Sequence, residues 1–149
     1  MRAIDTIIIH CTDTKLSRRT TTADLHKWHV VDRGWAHIGY HYYIDQFGAI
    51  HTCRPEEMIG AHARVYNATS IGICLEGGRS ETTGEPADTR TTEQRMALRE
   101  LILELAEKYN IKVSNIIGHY EISNRACPCF DVALLREHLH YSNPLLFPL

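Results

Sequence analysis

The sequence predicts an α/β fold, and three observations carry that prediction. Ile7-Ile8-Ile9 is an unbroken β-branched run, the pattern of a strand buried on both faces of a sheet. The segment Gly39 to Arg54 alternates aromatic and polar residues around Gln46-Phe47-Gly48, the pattern of a hairpin. From Leu98 onward, Leu101, Ile102, Leu105 and Tyr109 repeat at helical spacing.

Taken in order, residues 3–9 form the first strand, which delivers His10 at its C-terminal end. In open α/β sheets the crevice beyond the strand ends is where ligands bind. Asp13 to Arg19 is polar and loop-like. Thr21 or Thr22 can then cap a helix running through Leu25, Trp28 and Val30 and stopping near Gly34, with Leu25 and Trp28 packing it on the sheet. The hairpin follows and ends at Pro55. Residues 60–67 are irregular, Ser70 to Glu76 is a strand, and Gly77-Gly78 breaks it. Residues 79–90 read as an exposed loop. Thr91 followed by Gln94 is a capping-box pattern, with Glu104 and Lys108 set for a surface ion pair and the helix ending near Asn110. Ile111 to Ile117 returns to the sheet and delivers Gly118-His119, and Asp131 caps a last helix through Leu134, Leu135 and Leu139.

Composition narrows the function. At 149 residues, 44% hydrophobic and 23% charged, the chain suits one globular domain with a substantial core. A net charge of −2 with scattered Lys and Arg offers no footprint for nucleic acid or an anionic membrane. No run has the length of a membrane span, and the first residues lack the pattern of a signal peptide, so synthesis in the cytoplasm is expected. Five cysteines without framework spacing fit a reducing compartment.

The chemistry-bearing residues cluster at two places. His10-Cys11 closes the first strand, and His119, Glu121, Arg125, Cys127 and Cys129 lie within a dozen residues of one another. Two imidazoles and a thiolate are the donor set of a catalytic zinc, which keeps a fourth position for water and serves hydrolysis. Residue pattern leaves Cys127, Cys129 and Cys11 open as the thiolate. Cys11, Cys53 and Cys74 sit in or beside apolar runs and read as small buried hydrophobes.

Several blocks in order, His10-Cys11-Thr12, Trp35 with Gly39-Tyr40-His41-Tyr42, Gly60-Ala61-His62-Ala63, Tyr66-Asn67, Ser70 to Leu75, and His119-Tyr120-Glu121 with Ala126-Cys127-Pro128, resemble the zinc N-acetylmuramoyl-L-alanine amidases. The resemblance is to the T7 lysozyme type and its relatives, the peptidoglycan recognition proteins. It implies a mixed central β-sheet flanked by helices, a single amidase domain over residues 1–149 with its core at about 4–139, and a groove over one Zn2+. The implied reaction is hydrolysis of the amide between N-acetylmuramic acid and L-alanine, as in a phage endolysin that reaches the wall through a lysis pore or by dedicated export. The implied ligands are His10, His119 and Cys127, the catalytic residues Tyr40 and Arg125, and the groove-lining residues His62 and Asn67. The partner is peptidoglycan, met by a monomer, with no nucleic acid and no membrane. Arg125 departs from the T7 type, which has lysine there; a permanently charged guanidinium exchanges no proton at neutral pH, so its role would be to hold the carbonyl and the growing oxyanion. Proton transfer would then rest on water with Tyr40 or on a carboxylate, for which Glu121 and Glu76 are available but read first as structural. The alternative function is a peptidoglycan-binding module without catalysis.

Overall fold

The computed structural model describes residues 2–148. Its centre is a mixed five-stranded sheet in the order β3-β2-β4-β1-β5, with β1 at Thr6–Cys11, β2 at Tyr42–Ile44, β3 at Ile50–Thr52, β4 at Ser70–Leu75 and β5 at Ile116–Gly118. β1 runs parallel to both β4 and β5, β2 runs parallel to β4, and only the β2–β3 hairpin is antiparallel. The two central strands, β1 and β4, are buried at every position, as their apolar runs require.

Because side chains alternate along a strand, each central strand serves two layers. Ile7 and Ile9 of β1, Ile71, Ile73 and Leu75 of β4 and Ile44 of β2 face α2 (Thr92–Tyr109), where Leu98, Leu101, Ile102 and Leu105 complete the main core. His10, Gly72, Cys74 and Tyr43 have the opposite parity; Cys74 and Tyr43 pack with Leu25 of α1 (Thr22–His26) and with Ile38 in a smaller cluster. The sheet face carrying His10 is therefore only partly covered by helix, and a groove opens there. Ile102 is fully buried, so Ile102→Ala is expected to cost about 2–5 kcal/mol. An unchanged midpoint in urea unfolding would show that this layer does not carry the fold.

Helix starts follow local sequence closely. Thr91 and Gln94 form the reciprocal capping box that begins α2, and Asn110 ends it in the left-handed conformation. Thr21 and Asp24 form a second capping box at α1, which continues as a π-helical turn over Lys27–Val31. Asp131 accepts from the Leu134 amide at the start of α3 (Val132–Ser142).

Three details differ from the sequence reading. The hairpin strands are only three residues each: beyond them the His41 carbonyl accepts from the amides of both Cys53 and Arg54, and the Gly39 carbonyl turns to the amide of Ala61. The expected strand from Ile111 is reduced to β5 by a 3-10 turn at Val113–Asn115. The Glu104–Lys108 pair does not form: Lys108 Nζ reaches Glu56 Oε1 at 2.8 Å, in a cluster where the hydroxyls of Tyr42 and Tyr109 also donate to Glu56.

Candidate metal centre and groove

β1 and β5 are parallel neighbours, in register at Ile9 and Gly118, so the residues that follow, His10 and His119, emerge side by side. Their ring centroids are 4.5 Å apart. Cys127 enters from the loop before α3. That loop is folded back by the Tyr120 amide donating to Cys127 O at 2.7 Å and the Ser123 hydroxyl donating to His119 O at 2.9 Å. The ligand atoms of His10, His119 and Cys127 all lie within 4.8 Å of one another.

The donor chemistry fits a zinc ion. Burial, aided by His62 and His119, holds the His10 pKa well below its ordinary value, so its imidazole is neutral at pH 7. Burial and then the charge of Arg125 lower that of His119. The amide of Cys11 donates to Cys127 Sγ at 3.1 Å, which fixes the sulfur beside the two imidazoles. His10 uses Nε2 in a 2.8 Å hydrogen bond with His62 Nδ1, which leaves its Nδ1 as the free ring nitrogen.

These residues line a groove of about 1180 Å³, together with Tyr40, His62, Asn67 and Arg125. Tyr40 lies just before β2, its ring 5.1 Å from His10 and 5.5 Å from His29; burial raises its hydroxyl pKa well above the usual value. Arg125 is exposed, and its guanidinium has no hydrogen-bonding or ionic partner among the described residues. Asn67 Oδ1 accepts from the amides of His62 and Ala63, bracing the turn. His62 borders the groove, yet both ring nitrogens are engaged within the protein: Nδ1 with His10 and Nε2 with Ser70 Oγ at 3.1 Å. Its ring fits between two glycines. A Cβ on Gly72 would fall 2.7 Å from His62 Cγ, and one on Gly60 2.6 Å from Cδ2.

Neither carboxylate considered as a proton acceptor lies in reach. Glu76 is buried and accepts from Arg19, the Thr20 amide and both nitrogens of Gln46. Glu121 is held by two bonds from Arg136 and by the Gly118 amide. Asp13, the groove's one acidic residue, is paired with Arg79. Residues that sequence reasoning did not place in the groove include Arg33, Arg64 and Arg79. Their chain positions carry no local signal, since only folding brings them together. With Arg125 they make the groove predominantly positive.

A family model described as N-acetylmuramoyl-L-alanine amidase matches residues 1–130. The endolysin of Escherichia phage T7 is 37% identical over 128 residues, which is 86% of this chain and 82% of the relative. The solved structure of the endolysin amidase LysCS from Clostridium intestinale matches with a TM-score of 0.79 at 30% identity, covering 93% of this chain and 85% of that one. A Drosophila PGRP-LB in complex with tracheal cytotoxin matches with a TM-score of 0.72 at 26% identity, covering 100% and 86%.

Proposed function

The chain belongs to the N-acetylmuramoyl-L-alanine amidase family, and from that premise we propose that it cleaves the amide between N-acetylmuramic acid and L-alanine with one zinc ion held by His10, His119 and Cys127. It is a peptidoglycan amidase of the endolysin kind. The observation that carries the metal assignment is the convergence of two neutral imidazoles and a hydrogen-bonded thiol on the groove floor.

When bound, zinc supplies a polarised carbonyl and a water nucleophile of lowered pKa. The chain's own residues do the rest. Arg125, charged and uncommitted, holds the scissile carbonyl oxygen as negative charge grows on it. Tyr40 keeps its proton, because burial disfavours the phenolate, and serves as a hydrogen-bond donor beside His10. Asn67 keeps its Nδ2 free of protein partners among the described residues and offers a donor to the substrate at the rim. The arginine-rich lining suits a stem peptide that carries free carboxylates. The chain works as a single domain and a monomer, made in the cytoplasm and brought to the wall by a lysis pore or an export system. No helix among the described residues is long and apolar enough to cross a membrane.

The test is to incubate the purified chain with peptidoglycan and measure newly freed L-alanine amino groups, alongside its zinc content. Stoichiometric zinc with no release would replace this reading by that of a binding module. Arg125→Lys is expected to retain activity to within about threefold or to raise it, since either cation can stabilise an oxyanion. A collapse of turnover would show a bidentate role that lysine cannot fill.

A further inference from the structure

The zinc site leaves a second group of soft donors unused. Alternation along β1 turns Cys11 to the side of Ile7 and Ile9, away from His10. There Cys11 Sγ lies 3.9 Å from Cys129 Sγ. With the carboxylate of Asp13, the three ligand atoms fall within 4.8 Å of one another. We propose that Cys11, Cys129 and Asp13 form a second site, for a thiophilic divalent cation such as zinc or cadmium, distinct from the catalytic one.

Spacing is the first argument. Two sulfurs bound to one tetrahedral zinc at ~2.3 Å each stand about 3.8 Å apart. The separation in the fold already matches that edge, whereas a disulfide would require closure to about 2.05 Å. Close approach of the backbone is the second argument. A Cβ on Gly78 would fall 2.6 Å from Cys11 Sγ and 3.5 Å from Cys129 Sγ, so the glycine is what lets the chain pack against the two sulfurs where they meet.

The surroundings of Asp13 are the third. Arg79 donates Nε to Oδ1 at 2.7 Å and Nη2 to Oδ2 at 2.9 Å, orienting the carboxylate while leaving each oxygen a further lone pair. Two thiolates and a carboxylate carry three negative charges, and Arg79 offsets one, so a divalent ion closes the balance. On binding, both thiol protons pass to solvent. Cys127 also contacts Cys11, but its ligand atom groups with those of His10 and His119 and not with those of Cys129 and Asp13.

The experiment is a zinc titration of the reduced, chelator-stripped full chain, with bound ions counted by native mass spectrometry after gel filtration. Wild type is expected to hold two ions and Cys129→Ser one. Asp13→Asn is expected to hold the second ion at least about tenfold more weakly, with the first unchanged. A cadmium titration of wild type gives a readout free of mutation: the two-sulfur site should contribute a stronger thiolate charge-transfer band than the one-sulfur site. Saturation of wild type at one ion, two ions on Cys129→Ser, or a reduced-mass species carrying a Cys11–Cys129 disulfide in place of the second ion would each overturn the proposal.

Discussion

Cys127→Ala is expected to lose the catalytic metal and, with it, release of L-alanine amino groups. Cys127 supplies the only anionic donor of its cluster; His10 and His119 are neutral imidazoles, kept so by burial. Removing the thiolate leaves two rings with centroids 4.5 Å apart and nothing to offset a divalent charge. Loss of an outer partner of a ligand already costs roughly 10–100-fold in metal affinity, so loss of a ligand should exceed about 100-fold. The fold should survive, because Cys127 lies in a loop outside both hydrophobic clusters. Chelator competition and the amino-group assay read the two losses separately. Cys129→Ala is the matched control and should keep both this ion and activity. Should Cys127→Ala instead keep release of L-alanine amino groups and Cys129→Ala lose it, the catalytic thiolate has been placed wrongly.

What made this centre legible in the sequence was the coincidence of strand ends with ligand-type residues. An apolar run closing on His10, and another closing on Gly118-His119, mark strand ends from local pattern alone. The capping box at Thr91 was equally readable, since both partners lie within one turn, whereas the first helix offers Thr21 or Thr22 as its cap and the fold selects Thr21, paired with Asp24. That β1 and β5 are neighbours was not written locally; it follows from the parallel pairing that the core selects. The same limit explains the Lys108 pair. Helical spacing favours Glu104, but folding brings Glu56 from 52 residues away to 2.8 Å, where two tyrosine hydroxyls already gather.

Cys129 and His62 show the limit from the other side. Each has a partner fixed by distant chain segments: Cys129 meets Cys11 across 118 positions, and His62 meets His10 across 52. Residue pattern leaves Cys129 open as a ligand beside Cys127 and Cys11, and only the family resemblance sets it aside and puts His62 on the groove. The hydrogen bonds of His62 add an inward function that only the tertiary contacts reveal.

That function makes His62 the second site where a large effect is expected. If His10 ligates through Nδ1, its Nε2 carries the proton and donates to His62 Nδ1, and His62 Nε2–H then donates to Ser70 Oγ. His62 can accept because burial, with His41 and His119 beside it, pushes its pKa down to about 3, so it is neutral at pH 7. His62→Leu removes the acceptor and should weaken zinc binding by about 10–100-fold. His62→Asn places an amide oxygen near the position of Nδ1 and should recover most of that loss, while His62→Gln, a methylene longer, should recover less. Metal-free melting temperatures separate this from damage to the fold, since all three variants occupy the slot between Gly60 and Gly72. A positioning role therefore appears as a rank order in zinc affinity, Asn above Gln above Leu, without a matching order in metal-free stability. Equal affinities across the three variants would mean that His62 fills space between the glycines and does not orient His10.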